Sequence, residues 1–236
     1  MQKISDSPYF WVKQKIVENI LFLDIETVSQ YDRYESMPEK WQQLWTLKSR
    51  QYLGQDPNKS VSDWYEDKAA IFAEFGKIVC IGLAFFSQGE LRSKAIYGDD
   101  EREILQEFFK VVSGYFNNPQ QHAFCGHNVR EFDIPYICRR AVICQLGLPD
   151  ILKLSSKKPW EVRQIVDTME MWKFGDAKNP TSLDLLAASL GLESSKDDID
   201  GSMVGRVYWQ EKDVERIAQY CLKDVKLTAQ VYQRLM

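Results

Sequence analysis

Asn19-Ile20-Leu21-Phe22-Leu23-Asp24-Ile25-Glu26-Thr27 is the stretch on which the fold turns. Strand side chains alternate, so Ile20, Phe22, Asp24 and Glu26 share one face and Leu21, Leu23 and Ile25 the other. A strand apolar on both faces belongs at the centre of a covered sheet. Two acids nevertheless end one of its apolar lines. An unpaired buried carboxylate is costly, or its pKa rises until it is neutral. Two on one face also repel, so a positive charge is expected nearby. Read alone, a D-x-E pair at a strand end has a plainer explanation in nearby solvent.

Working outward, the pattern predicts a second apolar strand over 76–86, a hairpin turn at Ser87-Gln88-Gly89-Glu90 and a returning strand over 91–97. Asp99 or Asp100 can cap a helix that buries Ile104, Leu105, Phe108, Phe109 and Val112. A short strand over 121–126, a helix over 133–145 and a strand over 164–172 follow. Thr181 or Ser182 caps a helix closed by Gly191, and a long helix covers 211–235. Two antiparallel turns followed by helix–strand alternation imply a mixed sheet with helices on both faces. The expectation is one domain over 1–236, interrupted by a helical insertion at about 31–75. Within it, helices are predicted over 38–53 and 64–72.

The last helix repeats the anomaly of the first strand. Ile217, Tyr220, Asp224, Leu227 and Val231 lie on one line at three- and four-residue steps, and Asp224 holds a place that packing would give to an apolar residue. A further acid, Asp133, closes Gly126-His127-Asn128-Val129-Arg130-Glu131-Phe132-Asp133 at a helix start. It could be a plain N-cap, and Asn128 could simply shape the loop. Asp167 and Asp184, at strand and helix starts, read as structural caps.

Taken in order, these segments resemble the three motifs of the DEDD (DnaQ-like) exonucleases. Asp24 and Glu26 match the first, Asn128, Phe132 and Asp133 the second, and Tyr220 and Asp224 the third. The branch is set by the residue preceding the last acid. Gln219 stands where the DEDDh branch has histidine, whereas Tyr220 fits the DEDDy branch. Within that branch the chain is most similar to stand-alone proteins related to the proofreading domain of family-B DNA polymerases. The resemblance implies an RNase H-like fold and 3'→5' hydrolysis at the 3' end of single-stranded DNA or RNA, with DNA favoured, releasing nucleoside 5'-monophosphates. It also implies two divalent ions, Mg2+ or Mn2+, on Asp24, Glu26, Asp133 and Asp224. Tyr220 would mainly position the attacking water, and Asn128, Phe132 and Thr27 would meet the substrate. Replication or repair proteins are expected as further partners. Two other readings stay open: a module that binds nucleic acid without cleaving it, and an interaction subunit.

Bulk properties narrow the classes. A net charge of −4 and a pI near 5.4 argue against a broad nonspecific DNA-coating surface. They leave room for an enzyme that grips a few nucleotides with the help of metal charge. The five cysteines include no C-x-x-C pair, so reduced, mostly buried thiols are expected. Residues 1–19 lack a signal-type apolar core, and no apolar run is long enough to span a bilayer, so a cytoplasmic protein is expected. The insertion carries Tyr31, Tyr34, Trp41, Trp45, Tyr52, Trp64 and Tyr65. They could stack on unpaired bases or pack the insertion onto the domain.

Overall fold

The structure, a computed structural model, describes residues 17–176, 178–193 and 199–236. Its centre is a five-stranded sheet in the order β3-β2-β1-β4-β5. The strands are β1 (Ile20–Ser29), β2 (Gly76–Ser87), β3 (Glu90–Tyr97), β4 (Ala123–Gly126) and β5 (Ile165–Asp167). The first three are antiparallel neighbours, while β4 pairs parallel with both β1 and β5. The opening stretch is therefore the middle strand, as its two-sided apolarity requires.

The alternation read from the sequence holds in space. Leu21, Leu23 and Ile25 pack with Leu105, Phe108, Ile134 and Ile137 on one side of the sheet. That side is covered by α3 (Glu101–Tyr115) and α4 (Asp133–Ile143). Ile20 and Phe22 pack with Val225, Ala229 and Tyr232 on the other side. Phe22 meets Tyr232 edge-on, with ring centroids 5.5 Å apart. Tyr232 belongs to the long C-terminal helix α7 (Val214–Leu235). Burying a side chain the size of Phe22 contributes about 1.5–3 kcal/mol.

A buried ion pair fastens the α3–α4 layer. Arg140 Nε donates to Glu101 at 2.9 Å, Glu101 also accepts the Ile78 amide at 2.7 Å, and Arg140 reaches the Ala73 carbonyl. One charge pair thus joins two helices, a sheet strand and the end of the insertion.

The insertion contains α1 (Glu39–Ser49) and α2 (Val61–Lys68), both close to expectation. Ser60 and Asp63 form a reciprocal capping box at the start of α2. Trp45, Trp64 and Tyr65 are buried in a small core of their own with Met37, Ala69 and Phe75. These three rings are spent on packing and are not free to stack on bases. Trp41, at 37% exposed, is the most open of the insertion's tryptophans.

Two expectations need correction. The strand predicted over 164–172 stops at Asp167, because the Asp167 carboxylate accepts the Met169 amide at 2.9 Å and starts α5 (Thr168–Lys173). A side-chain cap there outcompetes strand pairing. The last helix starts at Val214 rather than 211. A π-helical segment Val207–Glu211 precedes it, Lys212 takes a left-handed φ of 58°, and Asp213 caps α7 through the Arg216 amide. Ser182 caps α6 (Leu183–Ser189) as read. Among the described residues, no helix is long and apolar enough to cross a membrane.

Candidate active site

Asp24 and Glu26 project from β1 on the face that α7 covers. Opposite them on β2 stand Gly82 and Cys80. The pairing shifts by one residue just after Glu26, a β-bulge that ends regular pairing beside the acids. Gly82 is what lets α7 come close. A β-carbon there would lie 2.8 Å from Cys221 Sγ and 3.0 Å from the Cys221 carbonyl oxygen. With that room, one turn of α7 brings Tyr220, Cys221 and Asp224 over the acids of β1.

Asp133 arrives from the other side. It is the first residue of α4 but does not cap it. Its Oδ1 accepts the Ile25 amide at 3.0 Å across 108 residues of sequence. The β1–β4 pairing covers only Ile20, Leu21 and Phe22 of β1, so the Ile25 amide lies beyond it and Asp133 serves as its acceptor. The plain capping reading of Asp133 is thereby replaced by a tie to the strand that carries Asp24 and Glu26.

The electrostatics follow from crowding acids in a low-dielectric place. Burial, then the charges of Asp133 and Asp224, holds the Asp24 carboxyl well above the ordinary carboxylate range. Glu26 is raised likewise by burial and by Asp24 and Asp224. Burial lifts Asp133 to about 7, against the pull of its own amide and that of Ile25. Glu26 is only 8% exposed, and among the described residues no hydrogen-bond donor faces its carboxylate. A nearby cation would favour the charged form of so crowded a carboxylate.

Tyr220 is buried, and its phenol donates to the Asp224 carboxylate. Burial, then the negative charge of Asp224 and Glu26, drives its pKa upward. A phenol held protonated in this way can donate to and orient a neighbouring group.

Around this core, Asp167 organises the loop between β4 and α4. It accepts the amides of Asn128 at 2.9 Å and Arg130 at 3.1 Å, besides capping α5. Asn128 sits at a left-handed φ of 63°, a conformation asparagine tolerates better than most residues. Asp167 is therefore structural, as read from its position. His127, which matches no ligand position, is clamped by Thr168 Oγ1 at 2.9 Å and the Thr181 carbonyl at 2.8 Å. Burial pulls its pKa down, so it stays neutral. Phe132 is half-buried and packs on Tyr136, ring centroids 5.4 Å apart. Thr27 lies on the face of β1 away from the acids, and its hydroxyl donates to the Ala70 carbonyl at 2.9 Å.

A family described as a predicted 3'-5' exonuclease related to the exonuclease domain of PolB matches residues 71–236, more than two thirds of the chain. The chain belongs to that family. None of the curated proteins matches it. In this relative of the PolB exonuclease domain the matched segment carries Asp133, Tyr220 and Asp224, while Asp24 and Glu26 precede it. The sheet joins the two parts, since β1 pairs with β2 and β4 from within the matched segment. The mixed five-stranded sheet with helices on both faces agrees with the RNase H-like fold expected of such a protein.

Sequence reasoning missed one group at the centre. Cys221 Sγ lies 3.4 Å from Asp24 Oδ2. Ligand atoms of Asp24, Glu26 and Cys221 all fall within 4.8 Å of one another. The signal was present: Cys221 precedes Asp224 by three residues, a spacing that puts both on one side of a helix. Cysteines in apolar runs usually only pack, and that commoner role masks the signal.

Proposed function

We propose that this protein removes nucleotides from the 3' end of single-stranded nucleic acid, DNA in preference to RNA, by hydrolysing the terminal phosphodiester. What supports this reading is the acidic centre on the α7 side of β1: ligand atoms of Asp24 and Glu26 lie within 4.8 Å of one another and of Cys221, and Asp133 and Asp224 stand near enough for their charges to raise the Asp24 carboxyl, with Tyr220 bonded to Asp224. A module that only binds nucleic acid gains nothing from four mutually repelling carboxylates, which would also repel its ligand.

The donor set fits hard divalent cations. It is built from carboxylate oxygens, the ligands such ions prefer, and burial and neighbouring acids press on Glu26. Asp24, Glu26, Asp133 and Asp224 would hold two such ions, Mg2+ or Mn2+. Bound there, the ions supply the positive charge that stabilises attacking and leaving oxygens in an in-line displacement and make water acidic enough to attack. The chain does the rest. Asp133 fixes β1 through the Ile25 amide, so the two acids of the strand keep a set spacing from α4. Tyr220 remains protonated and orients the Asp224 carboxylate and the nucleophile beside it. Asn128, in the loop held by Asp167, and Phe132 would meet the terminal nucleotide.

The test is a single-stranded DNA oligonucleotide and its RNA counterpart, labelled away from the 3' end, incubated with Mg2+ or Mn2+ and then with EDTA. Stepwise shortening that stops with EDTA and yields nucleoside 5'-monophosphates is expected. Asp24→Asn should slow it by about a hundredfold or more while leaving the fold intact. Folded protein that leaves both strands untouched in either metal overturns the reading.

A further inference from the structure

We propose that Lys77, Tyr208, Trp209 and Lys212 form a pocket for a phosphoryl group, filled by a backbone phosphodiester of the bound strand upstream of its 3' end. The cavity has a volume of about 320 Å3, with Asp99 and Val214 completing its walls. Two ammonium groups share one indole there. Lys77 Nζ stands 5.3 Å and Lys212 Nζ 4.9 Å from the centre of the Trp209 ring. Lys77 also donates to the Tyr208 phenol oxygen at 2.8 Å, and that phenol donates to Asp99 at 2.7 Å. Asp99 is thus engaged by the phenol, and among the described residues neither lysine forms a salt bridge. Two positive charges face one negative charge, so the pocket suits an anion.

Both cations stand where folding alone would not put them. Lys77 is half-buried on β2. Burial lowers its pKa against the pull of Asp99 and Glu101, and the charge of Lys212 adds to the fall. Lys212 has a left-handed φ of 58°, which glycine adopts freely and lysine does not. It directly follows the π-helical segment, and such segments are frequent at functional sites. Glycine would close that turn with less strain, so the side chain at 212 serves something besides the turn. The pocket is also tied to the acidic centre. Trp209 donates its indole N–H to the carbonyl and hydroxyl of Ser29, the last residue of β1. Lys77 pairs with Val28, and Glu26 lies two residues before Val28, about 7 Å along the strand. A nucleic-acid strand whose end reaches the acids therefore has its backbone within reach of the two ammonium groups. Carboxylates repel that backbone, and a cationic grip close by offsets the repulsion and fixes its register. That the phosphoryl group belongs to a strand rests on the exonuclease reading, whereas the pocket's preference for an anion does not.

The test is binding of a 5'-labelled single-stranded DNA oligonucleotide to the full chain in EDTA, followed by fluorescence anisotropy over a range of salt. Lys212→Gly keeps the turn and removes the cation. It should melt no lower than the wild type and bind the oligonucleotide about threefold to tenfold more weakly. Its plot of log affinity against log salt should be shallower by about 0.7, the loss of one phosphate contact. Lys77→Met, which keeps most of the stem, should behave likewise, and Asp99→Asn should tighten binding. An oligonucleotide with neutral methylphosphonate linkages should bind Lys212→Gly and wild type alike. Circular dichroism establishes that each variant is folded. Lysine variants with wild-type affinity and salt slope overturn the proposal, as does a folded wild type with no salt-dependent affinity for the strand. Inorganic phosphate that binds the wild type but not the variants, with strand affinity unchanged, overturns the assignment to the strand. Weakened binding by both lysine variants of a chain that never trims nucleic acid supports the pocket and counts against the exonuclease reading alone. In a chain that does trim, the lysine variants should raise KM by a similar factor with kcat nearly constant. An unmoved KM overturns the pocket and leaves the exonuclease reading standing.

Discussion

Gly82 on β2 and Cys221 on α7 touch so closely that a β-carbon at position 82 would come within 2.8 Å of the thiol sulfur. The obstruction would include the Cys221 backbone, 3.0 Å away, and cannot be relieved by a rotamer change alone. Gly82→Ala should therefore lift α7 from the sheet and cost about 1–3 kcal/mol in stability. Activity should fall further than stability predicts, because Asp224 and Tyr220 ride on the displaced turn. Urea denaturation and the trimming rate, measured on one preparation, check this. Equal activity in the two proteins would show that the helix spacing does not matter.

Tyr220→Phe removes only the hydroxyl that donates to Asp224. The ring still fills its buried place, so the melting temperature should change little. If the hydroxyl orients the nucleophile, kcat should drop by about a hundredfold, with KM nearly constant. Steady-state kinetics on a short single strand separates the two parameters.

Metal-free stability should depend on pH in the direction opposite to that of a salt-bridged carboxylate. Asp133 has a folded pKa of about 7 against an ordinary value of 3.8. Between those values the fold keeps a proton that the unfolded chain has lost. Its stabilisation is complete below 3.8 and disappears as pH rises through 7. His127 works in the opposite sense, since burial lowers its pKa from 6.5. The informative comparison is therefore wild type against Asp133→Asn, whose amide oxygen can still accept the Ile25 N–H. In EDTA the two should melt alike near about pH 4, and the wild type should melt lower by on the order of 5 °C near about pH 8. Calorimetry across that range decides it, and Mg2+ or Mn2+ should remove the wild type's deficit.

Trp45 is wholly buried, packs edge-on against Tyr65 and Phe75, and its indole N–H donates to the Val61 carbonyl at 3.0 Å. Trp45→Ala should cost about 3–5 kcal/mol. Much of that loss should be confined to the insertion, visible as faster amide hydrogen exchange in α1 and α2. Trp41→Ala should leave stability nearly unchanged. Any loss of single-strand affinity in the Trp41 variant would assign that exposed ring to the substrate.

The parts of the fold written in side-chain alternation were legible. The two-faced β1 gave the middle of the sheet, and the amphipathic spacing of Ile104, Leu105, Phe108, Phe109 and Val112 gave α3. The stretch after Val166 was misread, since apolar residues there suit a strand or a buried helix equally. One carboxylate, Asp167, settles the matter through a cap. Asp133 illustrates another limit: a sequence shows an acid at a helix start but not the amide of Ile25 waiting across the sheet. The aromatics of the insertion looked the same on paper. Only the folded arrangement separates Trp45, sealed inside, from Trp41 at the surface.

Cys221 meets Asp24 across 197 residues of chain. The acids of β1 are made early in translation, and their partners on α7 come only after most of the protein has left the ribosome. Because earlier segments fold first during synthesis, a nascent chain spends most of its elongation with an incomplete carboxylate set. A chain in which α7 has not docked holds Asp24, Glu26 and Asp133 but lacks Asp224 and Tyr220 at their side. On the proposed reading, the carboxylate set is complete only once α7 has docked on the sheet.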